Sequence, residues 1–83
     1  MNHTEKIVYQ TQGICAESIH FEVQDQQVKN VSFVKGCNGN LQGLSALVEG
    51  MDVATVIKRL EGIKCGHRPT SCPDQLAQAL KGC

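Results

Sequence analysis

Cysteine is the residue type in this chain whose number and spacing suggest a chemical role. The sequence contains five, namely Cys15, Cys37, Cys65, Cys72 and Cys83. Thiolates bind soft divalent metals such as zinc, and they are the reactive groups of thiol–disulfide exchange. The last three occur in the C-terminal stretch CGHRPTSCPDQLAQALKGC, residues 65–83. Three interpretations are open for this stretch: a metal site, a redox tail, or the frayed end of a small domain.

The cellular compartment helps to choose among these interpretations. The first ten residues, MNHTEKIVYQ, lack the long apolar stretch of a secretory signal, and no run of ~18 apolar residues predicts a membrane-spanning helix. We therefore expect a cytoplasmic protein, in a compartment where thiols stay reduced and disulfides are rare. The odd number of cysteines also argues against a disulfide framework. Metal or redox chemistry is the favoured interpretation.

Length and composition predict one small domain over residues 1–83. The aromatic residues are few, only Tyr9, Phe21 and Phe33, so a core of Val, Ile and Leu would gain stability from an additional cross-link. The formal net charge is zero, with eight basic and eight acidic residues and no basic stripe. This balance predicts neither a nucleic-acid partner nor an anionic membrane surface as a partner.

Three strands are predicted in the first half of the chain, at residues 6–10, 18–24 and 28–34. In the second of these, SIHFEVQ, strict alternation places Ile19, Phe21 and Val23 on one face. The short DQQ turn should join the second and third strands into an antiparallel hairpin.

Three helices are predicted in the second half, because the hydrophobic period changes to about 3.6 after GCNGN, residues 36–40. Gly50 should end the first helix, Asp52 should cap the second, and Pro73 suits the first turn of the third. The inward-facing stripes are Leu41, Leu44, Leu47 and Val48; Val53, Val56, Ile57 and Leu60; and Leu76, Ala77 and Leu80. The predicted fold class is α+β, with a hairpin-based sheet of about three strands and three helices packed on one face.

This arrangement brings four cysteines towards one end of the sheet. Cys15 precedes the second strand and Cys37 follows the third, so the open end of the hairpin should make them neighbours. Cys72 should cap the third helix, where backbone amides and the helix dipole favour a thiolate, and Cys65 lies in the loop before it. Because clustered thiolates repel one another, a soft divalent metal such as zinc would stabilise them.

Simpler explanations exist for individual residues. Cysteine is a common small core residue, and the seven-residue spacing from Cys65 to Cys72 is not that of a zinc finger. His67 is either an additional ligand or an exposed loop residue. Asp74 is explained by the helix dipole, with a role as ligand or base as the alternative. Cys83 is either a redox thiol or an inert terminal residue.

The stretch TSCPDQLA, residues 70–77, resembles the signature of the TSCPD domain family, and the similarity extends upstream through GCNGNLQG and GLSALVEGM. Members of this family occur as small stand-alone proteins and as the C-terminal part of vitamin-B12-dependent, class II ribonucleotide reductases. The resemblance implies an association with ribonucleoside-diphosphate reduction for DNA synthesis, and cysteines that bind metal. Cobalamin would come only through a partner reductase, because 83 residues are too few to form a catalytic barrel.

A second resemblance, over GICAESIHFEV and the stretch from VSFVKGCNGN to DVATVI, is to iron–sulphur cluster scaffold proteins. It implies a metal triad of Cys15, Cys37 and Cys72, with Glu17 nearby. The expected functions are therefore a metal-binding accessory module of a reductase, a zinc or iron–sulphur carrier, or a thiol relay. In the last of these, Cys83 and an inner cysteine would exchange electrons with a partner redox protein.

Overall fold

The structure, a computed structural model, describes residues 4–11, 16–35, 38–64, 66 and 69–82, without the side chain of Asn38. Three strands are followed by three helices. Their bounds are β1 Thr4–Gln10, β2 Ser18–Gln24, β3 Gln27–Val34, α1 Asn38–Val48, α2 Val53–Leu60 and α3 Cys72–Lys81. The predicted α+β class and element order are confirmed.

The strands form one antiparallel sheet in the order β1-β2-β3. Gln24 pairs with Gln27, so β2 and β3 are joined by Asp25 and Gln26 alone, one residue fewer than predicted. The φ angles of these two residues are 53° and 63°. Positive φ at both positions is the mark of a type I′ turn, whose twist matches that of the flanking strands.

A β-bulge interrupts the pairing of β3 with β2. His20 pairs with Ser32 but Glu22 pairs with Lys29, so two residues of β3, Asn30 and Val31, lie opposite Phe21 alone. Asn30 adopts the left-handed conformation, with φ of 52°. The extra residue lets Val28 and Val31 both face the core, although their odd spacing would place them on opposite faces of a regular strand.

The segment after α1 covers part of the outer edge of β3. The Gly50 amide donates to the Val28 carbonyl oxygen at 2.7 Å, and the Val28 amide donates to Met51 at 2.8 Å. The Val53 amide then donates to the Gln26 carbonyl at 2.9 Å. These bonds fix the start of α2 at the turn end of the hairpin. The predicted cap of α2, Asp52, accepts from the Thr55 amide at 3.3 Å.

All three helices contribute to a hydrophobic core that includes the inner face of the sheet. Its buried members are Ile19, Phe21, Val28, Val31, Val48, Val56, Leu76, Ala79 and Leu80. Leu47 was predicted to face inward but is 76% exposed. At 100° per residue it lies about 90° around the helix from the centre of the stripe formed by its three neighbours in the pattern. In the part of the chain that the structure describes, no helix is long and apolar enough to cross a membrane.

Candidate functional site

The open end of the β2–β3 hairpin is where the sequence places the first two cysteines. There the Glu17 amide donates to the Val34 carbonyl oxygen at 2.7 Å. The Glu17 carboxylate also lies 3.3 Å from the Lys35 ammonium group. The chain segments that lead from Cys15 and towards Cys37 are therefore side by side, as the hairpin topology predicts. Cys15 and Cys37 themselves lie outside the described residues.

Thr11 joins the end of β1 to the same place. Its hydroxyl donates to the carbonyl oxygens of Ala16, at 2.6 Å, and Glu17, at 2.8 Å. Its amide donates to the Glu17 oxygen at 3.3 Å. Ala16 is buried as a result, with 3% of its surface exposed. The end of β1 and the residues just before β2 are thus hydrogen-bonded to each other at this end of the sheet.

The start of α3 differs by one residue from the prediction. The N-cap is Ser71, not Cys72: its hydroxyl oxygen accepts from the Asp74 amide at 3.1 Å. The same hydroxyl donates to the Ile63 carbonyl at 2.6 Å. A hydroxyl is a better cap than a thiol, because sulfur is only a weak acceptor. Cys72 is therefore the first residue of α3, half-buried, and Pro73 occupies the first turn as predicted.

Asp74 is the buried acid of this region, with 7% of its surface exposed. Its Oδ1 accepts from the Gly62 amide at 2.7 Å and from the Gln78 side-chain amide at 3.1 Å. Its Oδ2 accepts from the Thr70 hydroxyl at 2.5 Å. The pKa of the Asp74 carboxyl is consequently lowered from its ordinary 3.8, first by the bond from Thr70 and then by that from Gly62, although burial acts in the opposite direction.

These bonds close a loop between α2 and α3. Gly62 and Ile63 lie at one end of the loop, and Thr70, Ser71 and Asp74 lie at the other; we call these five residues the clamp. The side-chain amide of Gln75 adds a bond to the Thr70 hydroxyl at 3.0 Å. Cys65 and His67 belong to the loop between the two ends and lie outside the described residues.

Of the eight residues predicted to form the site, three are described: Glu17, Cys72 and Asp74. The contacts of the structure assign Glu17 to the hairpin end and the other two to the start of α3. Among the described residues no group of three His, Cys, Asp or Glu side chains could hold a metal ion. The other five lie outside the described residues: Cys15, Cys37, Cys65, His67 and Cys83.

As ligands for a soft metal, the thiols of this chain fit better than the carboxylates of Glu17 and Asp74. The Glu17 carboxylate is ion-paired with Lys35, and that of Asp74 accepts three hydrogen bonds. Cys72 is half-buried at a helix start, a position that favours a thiolate.

The sequence-based reasoning missed Thr70 and Ser71. A signal for Ser71 was present, because S-x-x-D before an apolar stripe is close to the capping-box pattern of a helix start. No local sequence pattern indicates Thr70. Its acceptor, the Asp74 carboxylate, also accepts from Gly62, which is twelve residues from Asp74 in the sequence.

Comparisons with known proteins give one match. The model of a family described as the TSCPD domain matches residues 2–82, nearly the whole chain. No curated protein and no solved structure matches the chain.

Proposed function

The chain belongs to the TSCPD domain family, and from this premise we propose that it is a cysteine-based metal-binding accessory module in ribonucleotide reduction. The link to ribonucleoside-diphosphate reductase rests on the family. The observation that supports the metal site is the 2.7 Å hydrogen bond from the Glu17 amide to the Val34 carbonyl oxygen, because it joins the segments next to Cys15 and Cys37.

In this proposal the metal ligands are Cys15, Cys37, Cys65 and Cys72. Zinc is the first choice of metal, with an iron–sulphur cluster as the alternative. Bound there, the metal would neutralise the thiolates and link the segments that carry them. The chain's own contribution is to keep Cys72 at the first turn of α3, where Ser71 and Pro73 fix the helix start.

The reaction itself belongs to a partner. We propose that the chain does not reduce nucleotides alone and instead binds a ribonucleotide reductase or another redox protein of the same compartment. Any cobalamin would be bound by that reductase.

Elemental analysis of protein purified without oxygen, with thiol titration of the same sample, tests the metal site. We expect a stoichiometric metal and fewer reactive thiols than the five cysteines. Cys72→Ser should lose most of the metal, because a neutral hydroxyl replaces a thiolate, while serine still suits a helix start. Cys83→Ser is the matched control and should keep it.

The other outcomes are equally informative. Visible absorption with bound iron would identify a cluster in place of zinc. A metal-free protein that forms no thiolate absorption bands with added cobalt(II) would refute the metal site. Five reactive thiols, some of which are reversibly oxidised at a measurable redox potential, would favour the thiol relay. If Cys83→Ser strips the metal and Cys72→Ser keeps it, the ligand assignment is wrong.

Binding to a class II reductase from the same organism tests the partner. Calorimetry with the metal-loaded chain should show saturable binding, and Cys72→Ser should bind less well because it has lost the metal. Equal absence of binding by both forms would contradict the reductase association while leaving the metal site standing.

A further inference from the structure

We propose that Asp74 is a positioning residue for the metal site: with Thr70 and Ser71 it bonds the two ends of the 62–70 loop to each other before metal binds, and so fixes the start of α3, which carries Cys72, against Gly62 and Ile63. This inference rests on the proposed function. It assigns a role to the polar residues of the TSCPD pentapeptide, residues 70–74, which the metal ligands alone do not explain.

The Asp74 carboxylate reaches both ends of the loop at once. One oxygen accepts from the backbone amide of Gly62 at 2.7 Å, and the other accepts from the hydroxyl of Thr70 at 2.5 Å. A bond from a backbone amide fixes the chain itself, not only a side chain. Because Asp74 is 7% exposed, water competes little for its carboxylate oxygens.

Ser71 joins the same two ends a second time. Its hydroxyl donates to the Ile63 carbonyl at 2.6 Å while accepting from the Asp74 amide at 3.1 Å. Ser71 is 4% exposed. Gly62 and Ile63, at the start of the loop, are therefore bonded to the buried side chains of Asp74 and Ser71 at its end. Asp74 belongs to the first turn of α3, and Ser71 is its N-cap.

The pentapeptide thus divides into parts with separate tasks. Thr70, Ser71 and Asp74 close the loop, and Pro73 occupies the first turn of the helix. Cys72 lies between them and is the proposed ligand. The loop that they close carries Cys65, three residues after Gly62 in the sequence.

Preorganisation is the physical reason for such a clamp. A loop that is closed before metal arrives loses its conformational freedom during folding, so metal binding does not bear that cost. If the clamp is opened, the metal must order the loop itself and the affinity falls. Removal of residues that orient metal ligands typically weakens binding by about 10- to 100-fold.

Cobalt(II) binding, followed by its thiolate absorption bands, tests the inference. Thr70→Val and Asp74→Ala remove a donor and the acceptor without touching a proposed ligand, and each should weaken cobalt(II) binding by about 10- to 100-fold. Thr70→Ser keeps the hydroxyl and should bind within about twofold of the parent, the small effect expected of an intact clamp.

Asp52→Ala is the matched control for stability. It removes the N-cap of α2, an exposed carboxylate–amide bond of 3.3 Å at the other end of that helix from the loop. All variants are compared at a temperature where circular dichroism shows them folded. Equal affinity of Thr70→Val and the parent, or an equal loss in Asp52→Ala, would overturn the positioning role.

Hydrogen exchange of the Gly62 amide in metal-free protein separates the two proposals. We expect protection of this amide in the parent and in Thr70→Ser, and at least tenfold faster exchange in Asp74→Ala. If the parent binds no cobalt(II) but Gly62 is protected, the metal site fails and the clamp stands. If the parent binds cobalt(II) and Gly62 exchanges freely in metal-free protein, the clamp fails and the metal site stands.

Discussion

Asp74 makes hydrogen bonds that its position in the first turn of a helix does not explain. An acidic residue in the first turn is expected to interact with the helix dipole, and Asp74 does lie there. Its carboxylate is nevertheless directed to donors outside the helix, on Gly62 and Thr70. The charge is therefore used to hold a loop, and its contribution to stability should depend on pH.

Asp74→Asn should lower the free energy of unfolding of metal-free protein at pH 7 by about 1–3 kcal/mol, because charge-assisted bonds to a buried carboxylate are lost. The folded-state pKa is lowered from 3.8, so the stabilisation is fully present above that value and is lost as the pH falls through the lower folded pKa. Urea unfolding from pH 7 to pH 2 should show the two proteins converging below about pH 4.

Thr70→Val provides the control for this pH dependence. It removes the largest cause of the lowered pKa, so its loss of stability relative to the parent should also shrink at acid pH. A difference between Asp74→Asn and the parent that stays constant down to pH 2 would contradict the assignment.

Gln26 occupies a backbone conformation that suits glycine better. Its φ is 63° in the two-residue turn between β2 and β3, where a side chain costs about 1–2 kcal/mol. Gln26→Gly should therefore raise the free energy of unfolding by about 0.5 kcal/mol, after the larger entropy of glycine in the unfolded chain is subtracted. Gln27→Gly, one residue on and inside β3, should lower it. A loss of stability in both would show that the turn is not strained.

At the scale of elements, the strength of the sequence pattern determined how well each element was predicted. In β2 the alternation is unbroken, and its bounds, inner face and antiparallel pairing with β3 are as predicted. In β3 the pattern changes phase between Val28 and Val31, and it takes the pairing with β2 and the left-handed φ of Asn30 to show that Asn30 is the extra residue. The bulge is anchored from outside the sheet, since the Asn30 amide donates to the Glu49 carboxylate at 2.8 Å.

Helix faces can be compared directly by replacing one leucine on each. Leu76→Ala on α3 should lower the free energy of unfolding by about 2–5 kcal/mol, because a side chain with 0% exposure leaves a cavity in the core. That is comparable with the whole stability of a small domain, about 5 kcal/mol. Leu47→Ala on α1 should change it by less than about 0.5 kcal/mol, because that side chain is exposed.

Chemical denaturation monitored by circular dichroism measures both variants. A large loss for Leu47→Ala would mean that another molecule covers this face of α1 in solution. A small loss for Leu76→Ala would contradict the packing of α3 on the sheet.

At the scale of the whole molecule, topology predicted where the site should be but not what holds it. The hairpin alone implied that the segments next to Cys15 and Cys37 meet, and the contact of Glu17 with Val34 agrees. The clamp could not be predicted in the same way. It depends on how α2 ends against α3, a tertiary contact between residues that carry no shared local pattern.

Metal should stabilise the whole domain if the proposed site exists. With free zinc at about 100 times the dissociation constant, the free energy of unfolding should rise by about 2.7 kcal/mol relative to protein stripped with a chelator. Urea midpoints with and without zinc measure this difference. Cys72→Ser should show little of it and Cys83→Ser should show all of it. An equal zinc effect in both variants would place the metal elsewhere.

The bulge in β3 has a consequence for how the length of this chain can vary. On either side of Asn30 the inward residues, Val28 before it and Val31 and Phe33 after it, follow the strict alternation of a regular strand once Asn30 itself is omitted. A chain shorter by that single residue would keep every inward side chain inward and would lose the hydrogen bonds of Asn30 to Glu49 and Glu22. Asn30 is thus a position where evolution could delete a residue from the middle of a sheet without rebuilding the core.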